Sequence, residues 1–313
     1  MTQHALICGS FAFDNILVFH DKFKNHILPD KVHILNVAFL VPTMRREFGG
    51  TAGNIAYNLK LLGGSPLAMG MVGTDFGPYA QWMDRHGLSR TYVKEAPEHF
   101  TAQAFITTDE DDNQITAFHP GAMGEAHRQR VDDVSEDIAW GIVSPDGKDA
   151  MVQHAAQLKA RAIPFIFDPG QGLPMFSGDE LLEVVDEAAV LAVNDYEWQM
   201  VQEKTGHTAE DLAERVETLI VTRGGEGSDF YTPTGKIHVD AVKPETIADP
   251  TGCGDAFRAG ILYGLTHGLD WQTTARIAST MGAYKIEKSG PQNHAFTLDQ
   301  FKARMESAFG SSF

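Results

Sequence analysis

At 313 residues and 43% hydrophobic content, the chain can bury one large core and leaves room for a smaller appendage, without being clearly two domains. Its 25 Lys and Arg against 42 Asp and Glu leave a formal charge of −17, which opposes binding to nucleic acid phosphates or anionic membranes; no basic patch stands out beyond the pair Arg45 and Arg46. The two cysteines, Cys8 and Cys253, are far apart and form no CxxC, which argues against a disulfide framework or a zinc site and fits a reducing cytosol.

The first stretch, "MTQHALICGSFAFDNI", has no basic leader region and too short an apolar run for a signal peptide or a membrane span, so a cytoplasmic protein is expected. "ALICGS" reads as a strand, and "TAGNIAYNLKLLGG" as a helix with Ala52, Ile55, Ala56, Leu59 and Leu62 on one face, Thr51 as cap and Gly63 as stop. "PLAMGMVG" follows as a strand, then a helix around 77–86. The rhythm returns in "IPFIFDPG", "AAVLAVNDYE" and "TLIVTRGG", and closes with helices near 254–266 and 271–286. Apolar runs alternating with helical patterns predict an α/β fold, a doubly wound, mainly parallel sheet, in a single unit over 1–313. Residues 32–41, "VHILNVAFLV", and the pair "TAQAFITT" and "QITAFHPG" across "DEDDN" break the rhythm as extended ribbons. They read either as a small β-sheet lid, formed by inserted segments about 14–46 and 96–120, or as an ordinary edge hairpin of the main sheet.

The stretch "DPTGCGDAFRAG", 249–260, carries the chemistry. Gly252 and Gly254 keep side chains away from the backbone where a helix begins, so unpaired N–H groups at its positive end can receive an anion. Asp255 then lies in the first turn beside that anion, placed to take a proton from an attacking hydroxyl, as phosphoryl transfer to an alcohol requires. The same residues are equally a plain glycine-rich helix start with Asp255 compensating the dipole.

Further motifs decide between them. "DPTGCGDAFRAG" resembles the C-terminal signature of the ribokinase, or PfkB, carbohydrate kinases, and "EFGGTAGNIAYNLKLLGG" (47–64) is similar to their N-terminal signature. "NDYE" (194–197) resembles the family's NxxE element and "TRGGEG" (222–227) its TxGxxG nucleotide element, in the right order over nearly the whole chain. The resemblance implies ATP as phosphoryl donor, Asp255 as base, and the amides of Gly252, Cys253 and Gly254 as the anion hole. It implies that Asp14, Gly49, Gly50 and Asn54 hold sugar hydroxyls, and that Thr222, Gly224 and Gly227 approach the ATP phosphates. Asn194 and Glu197 match the element linked to Mg2+, with Glu197 acting through water; they also spell a capping box. Asp249 and the loop 285–292 are implied as a monovalent cation site, with K+ raising activity.

Cys253 stands where the family more often has alanine. A thiol at a helix N-terminus can have a lowered pKa and be open to oxidation, although its backbone amide alone would satisfy the motif. "DFG" at 75–77 lacks the HRD and VAIK partners of protein kinases, and no Walker, HExxH or GxSxG motif is present.

Several stretches, among them "HILPDKVHILNVAFLVPTMRREFGGTAGNIAY", "ITAFHPGAM" and "FIFDPGQGLP", look closest to the family's prokaryotic nucleoside kinase branch, which is similar to adenosine kinase. The resemblance then implies a ribonucleoside phosphorylated on its 5′-hydroxyl, with Gln103, Phe105, Phe118 and Gln171 as candidates for base contacts. Rivals are a sugar or sugar-phosphate kinase, for which Arg45 and Arg46 would anchor a phosphate, and a ligand-binding relative without catalysis. Relatives exist as monomers and as homodimers, and either is compatible with this chain.

Overall fold

The structure, a computed structural model, describes residues 3–27, 36–111 and 113–313. The chain runs through β1 (His4–Cys8), β2 (Ala12–Val18), β3 (Thr43–Gly49), α1 (Thr51–Leu61), β4 (Ser65–Val72), α2 (Gly77–Arg85), β5 (Ser89–Glu95), β6 (Ala102–Thr108) and β7 (Gln114–His119). It continues as β8 (Ile138–Val143), α3 (Lys148–Ala160), β9 (Phe165–Phe167), α4 (Gly178–Glu187), β10 (Val190–Asn194), α5 (Asp195–Thr205) and α6 (Ala209–Ala213). It ends with β11 (Thr218–Thr222), β12 (Ser228–Thr232), β13 (Gly235–Val239), α7 (Cys253–Thr266), α8 (Trp271–Ile286) and α9 (Leu298–Phe309).

Among the described residues, nine strands form one sheet in the order β13-β12-β11-β10-β9-β8-β1-β4-β5. Strands β11 through β5 in that order pair in parallel, and β12 and β13 add an antiparallel hairpin at one edge. The central strands are apolar runs because both faces are covered by helices. Alternation sorts their side chains into two cores. Ala5, Ile7, Val190, Ala192 and Ile220 pack with α1, α7, α8 and α9. Leu6, Cys8, Leu191, Val193, Leu219 and Val221 face α3, α4 and α5.

Helix α1 carries the predicted apolar face and ends at Gly63, whose N–H bonds the Lys60 carbonyl while Gly64 N–H bonds that of Leu59. Its start differs from expectation. Gly50, at φ 84°, is the cap, and Thr51 is already helical. The Thr51 hydroxyl donates to the Pro145 carbonyl (3.1 Å), so it ties the helix to the β8 loop and caps nothing.

The ribbons form a separate four-stranded sheet in the order β3-β2-β6-β7, not an edge of the main sheet. This is the small lid sheet. For the expected ribbon over 32–41, residues 32–35 lie outside the described residues. Residues 36–41 are not a strand, and the pairing strand is β3. The apolar character of this stretch serves packing instead of a ladder: Phe39 packs at a tilt against Phe19 and Phe23, with ring centroids 4.8 and 5.0 Å away.

Candidate active site

The strand order turns about β1, with β4 and β5 on one side and β8 to β11 on the other. Ligands of open α/β sheets bind beyond the carboxyl ends of the strands at such a reversal. From Cys8 the chain passes through three residues straight into lid strand β2, so the lid hangs over this edge. Lid strand β3 in turn delivers the chain directly into α1. Phe11, Phe13, Phe48, Phe76, Tyr79 and Trp82 form a continuous aromatic cluster at these junctions, with neighbouring centroids 4.8 to 6.0 Å apart.

Helices α1 and α7 meet here. Asn54 Nδ2 donates to Asp255 Oδ2 (2.8 Å), and Asn54 Oδ1 accepts from Gln292 Nε2 (2.9 Å). Gln292 also donates to the Tyr79 hydroxyl (2.6 Å) and accepts from Trp82 Nε1 (2.9 Å), while Tyr79 donates to the Gly49 carbonyl (2.9 Å). A buried chain of hydrogen bonds therefore fixes which oxygen of Asp255 is engaged. Burial lifts the Asp255 carboxyl to about 7; the Asn54 bond and the Arg258 charge pull it down, and Asp168 and Asp14 push it up.

Gly252 caps α7 at φ 82°, ψ 4°, a conformation other residues rarely adopt, and a Cβ there would lie 2.7 Å from Pro291 Cβ. Of the three amides expected at the anion hole, that of Cys253 donates to the Pro250 carbonyl (3.1 Å) to close the turn. The amides of Gly252 and Gly254, joined by that of Asp255, have no protein acceptor among the described residues. The Cys253 thiol is not activated. Burial pushes it up to about 11, more than the Lys285 charge pulls it down.

Asp14 projects from β2 opposite Glu47 of β3. Burial, then the charges of Glu47 and Asp249, raise its carboxyl to about 6. Gly49 has no side chain because a Cβ there would stand 2.5 Å from Asp14 Oδ2. The strand register sorts the other lid candidates. Ala104 and Phe118 lie across from Asp14 and share its face, whereas Gln103 and Phe105 lie on the opposite face. Gln103 donates to Asp75 (3.0 Å) and accepts from Asn15 (3.3 Å), so it braces the lid. Arg45 shares the Asp14 face beside Glu47 and Asp249 (3.9 and 4.0 Å), whereas Arg46 bonds Asn15 (2.8 Å) on the reverse. Gln171 is exposed on the helical turn Gly170–Met175.

Asn194 and Thr222 are register partners at the carboxyl ends of β10 and β11. Asn194 Oδ1 accepts from Glu197 N (2.7 Å) and Glu197 Oε2 accepts from Asn194 N (2.8 Å), so the capping box is formed. Gly224 and Gly227 flank the helical turn after β11. No cluster of three or more His, Cys, Asp or Glu able to hold a metal occurs among the described residues. Mg2+ keeps several waters and leans on substrate phosphates, and Glu197 has one carboxylate oxygen with no protein partner among the described residues, which could serve a water-mediated contact.

The expected potassium site is different. The Asp249 carboxylate accepts from Thr251 N and Gly290 N (both 2.9 Å), and Asp249 O and Lys288 O both receive the ammonium of Lys285 (2.9 and 3.0 Å). The residues present do not fit an added monovalent cation, because a side-chain cation already holds these carbonyls.

Sequence reasoning named the loop 285–292 only as part of a cation site, giving Lys285 and Gln292 no role of their own, and passed over the buried pair Arg258–Asp168 (3.1 and 3.3 Å). Arg258 could have been found, since it stands three residues after Asp255 in an apolar helix and so shares its face. Gln292 carries no local signal.

The sequence pattern of the pfkB family carbohydrate kinases matches residues 17–297. The nucleoside kinase of Burkholderia thailandensis in complex with inosine is 52% identical, covers 98% of this chain and 99% of its own, and superposes with a TM-score of 0.89. In complex with ADP-inosine the same kinase gives 53% identity, coverage of 98% and 97%, and a TM-score of 0.87. The nucleoside kinase of Methanocaldococcus jannaschii is 31% identical over 276 residues, 87% of this chain and 89% of its own length. With these motifs in register on the matching fold, the chain belongs to the pfkB family of carbohydrate kinases and is a kinase that transfers phosphate to a hydroxyl group.

Proposed function

We propose that this kinase transfers the γ-phosphoryl group of ATP to the 5′-hydroxyl of a ribonucleoside. The observation that carries the reading is the 52% identity, over 98% of the chain, to a nucleoside kinase whose structure holds inosine. The ribose lies between lid and core, its vicinal hydroxyls on the Asp14 carboxylate and the second Asn54 amide proton. Gly49 and Gly50 let it approach the backbone. The 5′-hydroxyl donates to Asp255 Oδ1, the oxygen that Asn54 leaves unbonded. As the hydroxyl oxygen attacks, its proton passes to Asp255, which must therefore be ionised beforehand. The amides of Gly252, Gly254 and Asp255 receive the charge on the transferring phosphoryl group.

Thr222 and the turn at Gly224 and Gly227 flank the ATP phosphates, with Asn194 and Glu197 alongside. Magnesium, when bound, would neutralise charge on those phosphates, held by them and by water beneath Glu197. The lid excludes water as it closes on the nucleoside, so idle ATP hydrolysis is suppressed. Phe118, on the Asp14 face, is the lid aromatic placed to meet a base. Phosphorylation assays with adenosine, inosine, guanosine, cytidine, ribose, fructose and fructose 6-phosphate test the reading. Turnover on nucleosides well above that on any sugar is expected. Preference for a sugar or sugar phosphate would overturn the substrate, and binding without turnover would overturn the catalysis.

A further inference from the structure

Lys285 lies in the last turn of α8 and is 0% exposed. Its ammonium bonds two backbone carbonyls from two segments, Asp249 O at 2.9 Å and Lys288 O at 3.0 Å. The same segments are stitched by Ala248 N and Asp249 N donating to Ile286 O (2.8 and 3.1 Å) and by Gly290 N donating to Asp249 Oδ2 (2.9 Å). Converging carbonyls beside a carboxylate, at the negative end of a helix, are the surroundings a dehydrated monovalent cation requires. Three residues beyond Asp249 the chain becomes the Gly252 cap of α7, and a Cβ on Gly252 would lie 3.6 Å from Lys285 Cε. The lysine stem therefore runs under the amides that face the phosphoryl group.

We infer that the Lys285 ammonium is a built-in substitute for a bound monovalent cation, holding the Asp249 peptide and lending positive charge beneath the anion site, so that this kinase works without potassium. A tethered cation orients these carbonyls without the entropic cost of capturing an ion. Lys285 is a positioning residue, since it acts through the backbone of 249–252. The inference rests on the kinase activity, and its test includes a readout that does not.

Turnover of the intact protein is measured in KCl, NaCl and choline chloride at equal ionic strength, which holds screening constant, and rates within about twofold of one another are expected. Stimulation by potassium of about tenfold or more would overturn the inference. Lys285→Ala opens the space the ammonium filled; in choline it loses roughly tenfold or more in kcat, and KCl restores much of the loss. Lys285→Met removes the charge but leaves a methyl group in the space, and potassium does not rescue it. Lys285→Ala matching the parent rate in choline would overturn the positioning role. Independently of turnover, potassium leaves the Tm of the ligand-free parent where choline leaves it. A rise of several degrees specific to potassium in the parent would show an ion site and refute the substitution. Absence of turnover in every salt would instead refute the kinase activity, while the Tm comparison still decides the cation.

Discussion

Replacing Asp255 by asparagine is expected to lose catalysis and gain stability, and the gain depends on pH in a defined direction. The Asp255 carboxyl has an ordinary value of 3.8 and is lifted to about 7 in the fold, chiefly by burial. The folded chain thus holds this proton more tightly than the unfolded chain. The neutral carboxyl costs nothing extra below about pH 4, and stability is lost progressively as pH rises from there through about 7. The full rise corresponds to about 4 kcal/mol, which partial solvent access at the helix start reduces to about 1–2 kcal/mol. Asparagine is neutral throughout and keeps an oxygen to accept from Asn54. Asp255→Asn is therefore predicted to differ least from the parent near pH 4.5 and to exceed its Tm by about 1.5–3 °C at pH 8.5. Thermal unfolding of both ligand-free proteins across this range measures the difference, and kcat measured alongside should fall about 10²–10⁴-fold. A Tm difference that is constant with pH, or larger at pH 4.5, would refute the burial argument. Turnover within tenfold of the parent would refute the base assignment.

The remaining predictions follow the same geometry. Asn54→Ala removes the bond that lowers the Asp255 carboxyl, so the alkaline rise of kcat/KM, expected near 7 for the parent, should move to higher pH; an unmoved midpoint would exclude the coupling. Gly49→Ala places a methyl group 2.5 Å from Asp14 Oδ2, and displacing that carboxylate should raise the nucleoside KM about 10–100-fold with a smaller change in kcat. Arg258→Met leaves the Asp168 carboxylate buried without its partner and should cost about 3–5 kcal/mol in denaturant unfolding, with part recovered in the Arg258→Met, Asp168→Leu double variant. A single-variant cost below about 1 kcal/mol would show the pair to be incidental.

Much of this protein was legible locally. The runs of β1, β4, β10 and β11 and the helices α1, α7 and α8 were readable because apolar periodicity within one element reflects which faces that element buries. The Asn194–Glu197 box was readable because both partners lie within one turn. The hairpin of β12 and β13 was missed although "YTPTGK" is turn-like, since its strands are only partly apolar. Thr51 was misread as a cap because its hydroxyl is engaged by Pro145, 94 residues away.

What the sequence by itself determined is the family, the reaction class and the order of the motifs, because a glycine-bare helix start ahead of a carboxylate is a local arrangement of backbone. Only the tertiary structure decided which side chains share the site. The pairing of β2 with β3 and β6 put Arg45 and Phe118 on the Asp14 face and turned Arg46, Gln103 and Phe105 away; a shift of one residue would have reversed every one of them. The descent of the 285–292 loop onto α1 and α7 brought Gln292 to Asn54 and the Lys285 ammonium to Asp249. Register and long-range contacts of this kind depend on how separate segments bury their surfaces together, and no window of neighbouring residues contains that information.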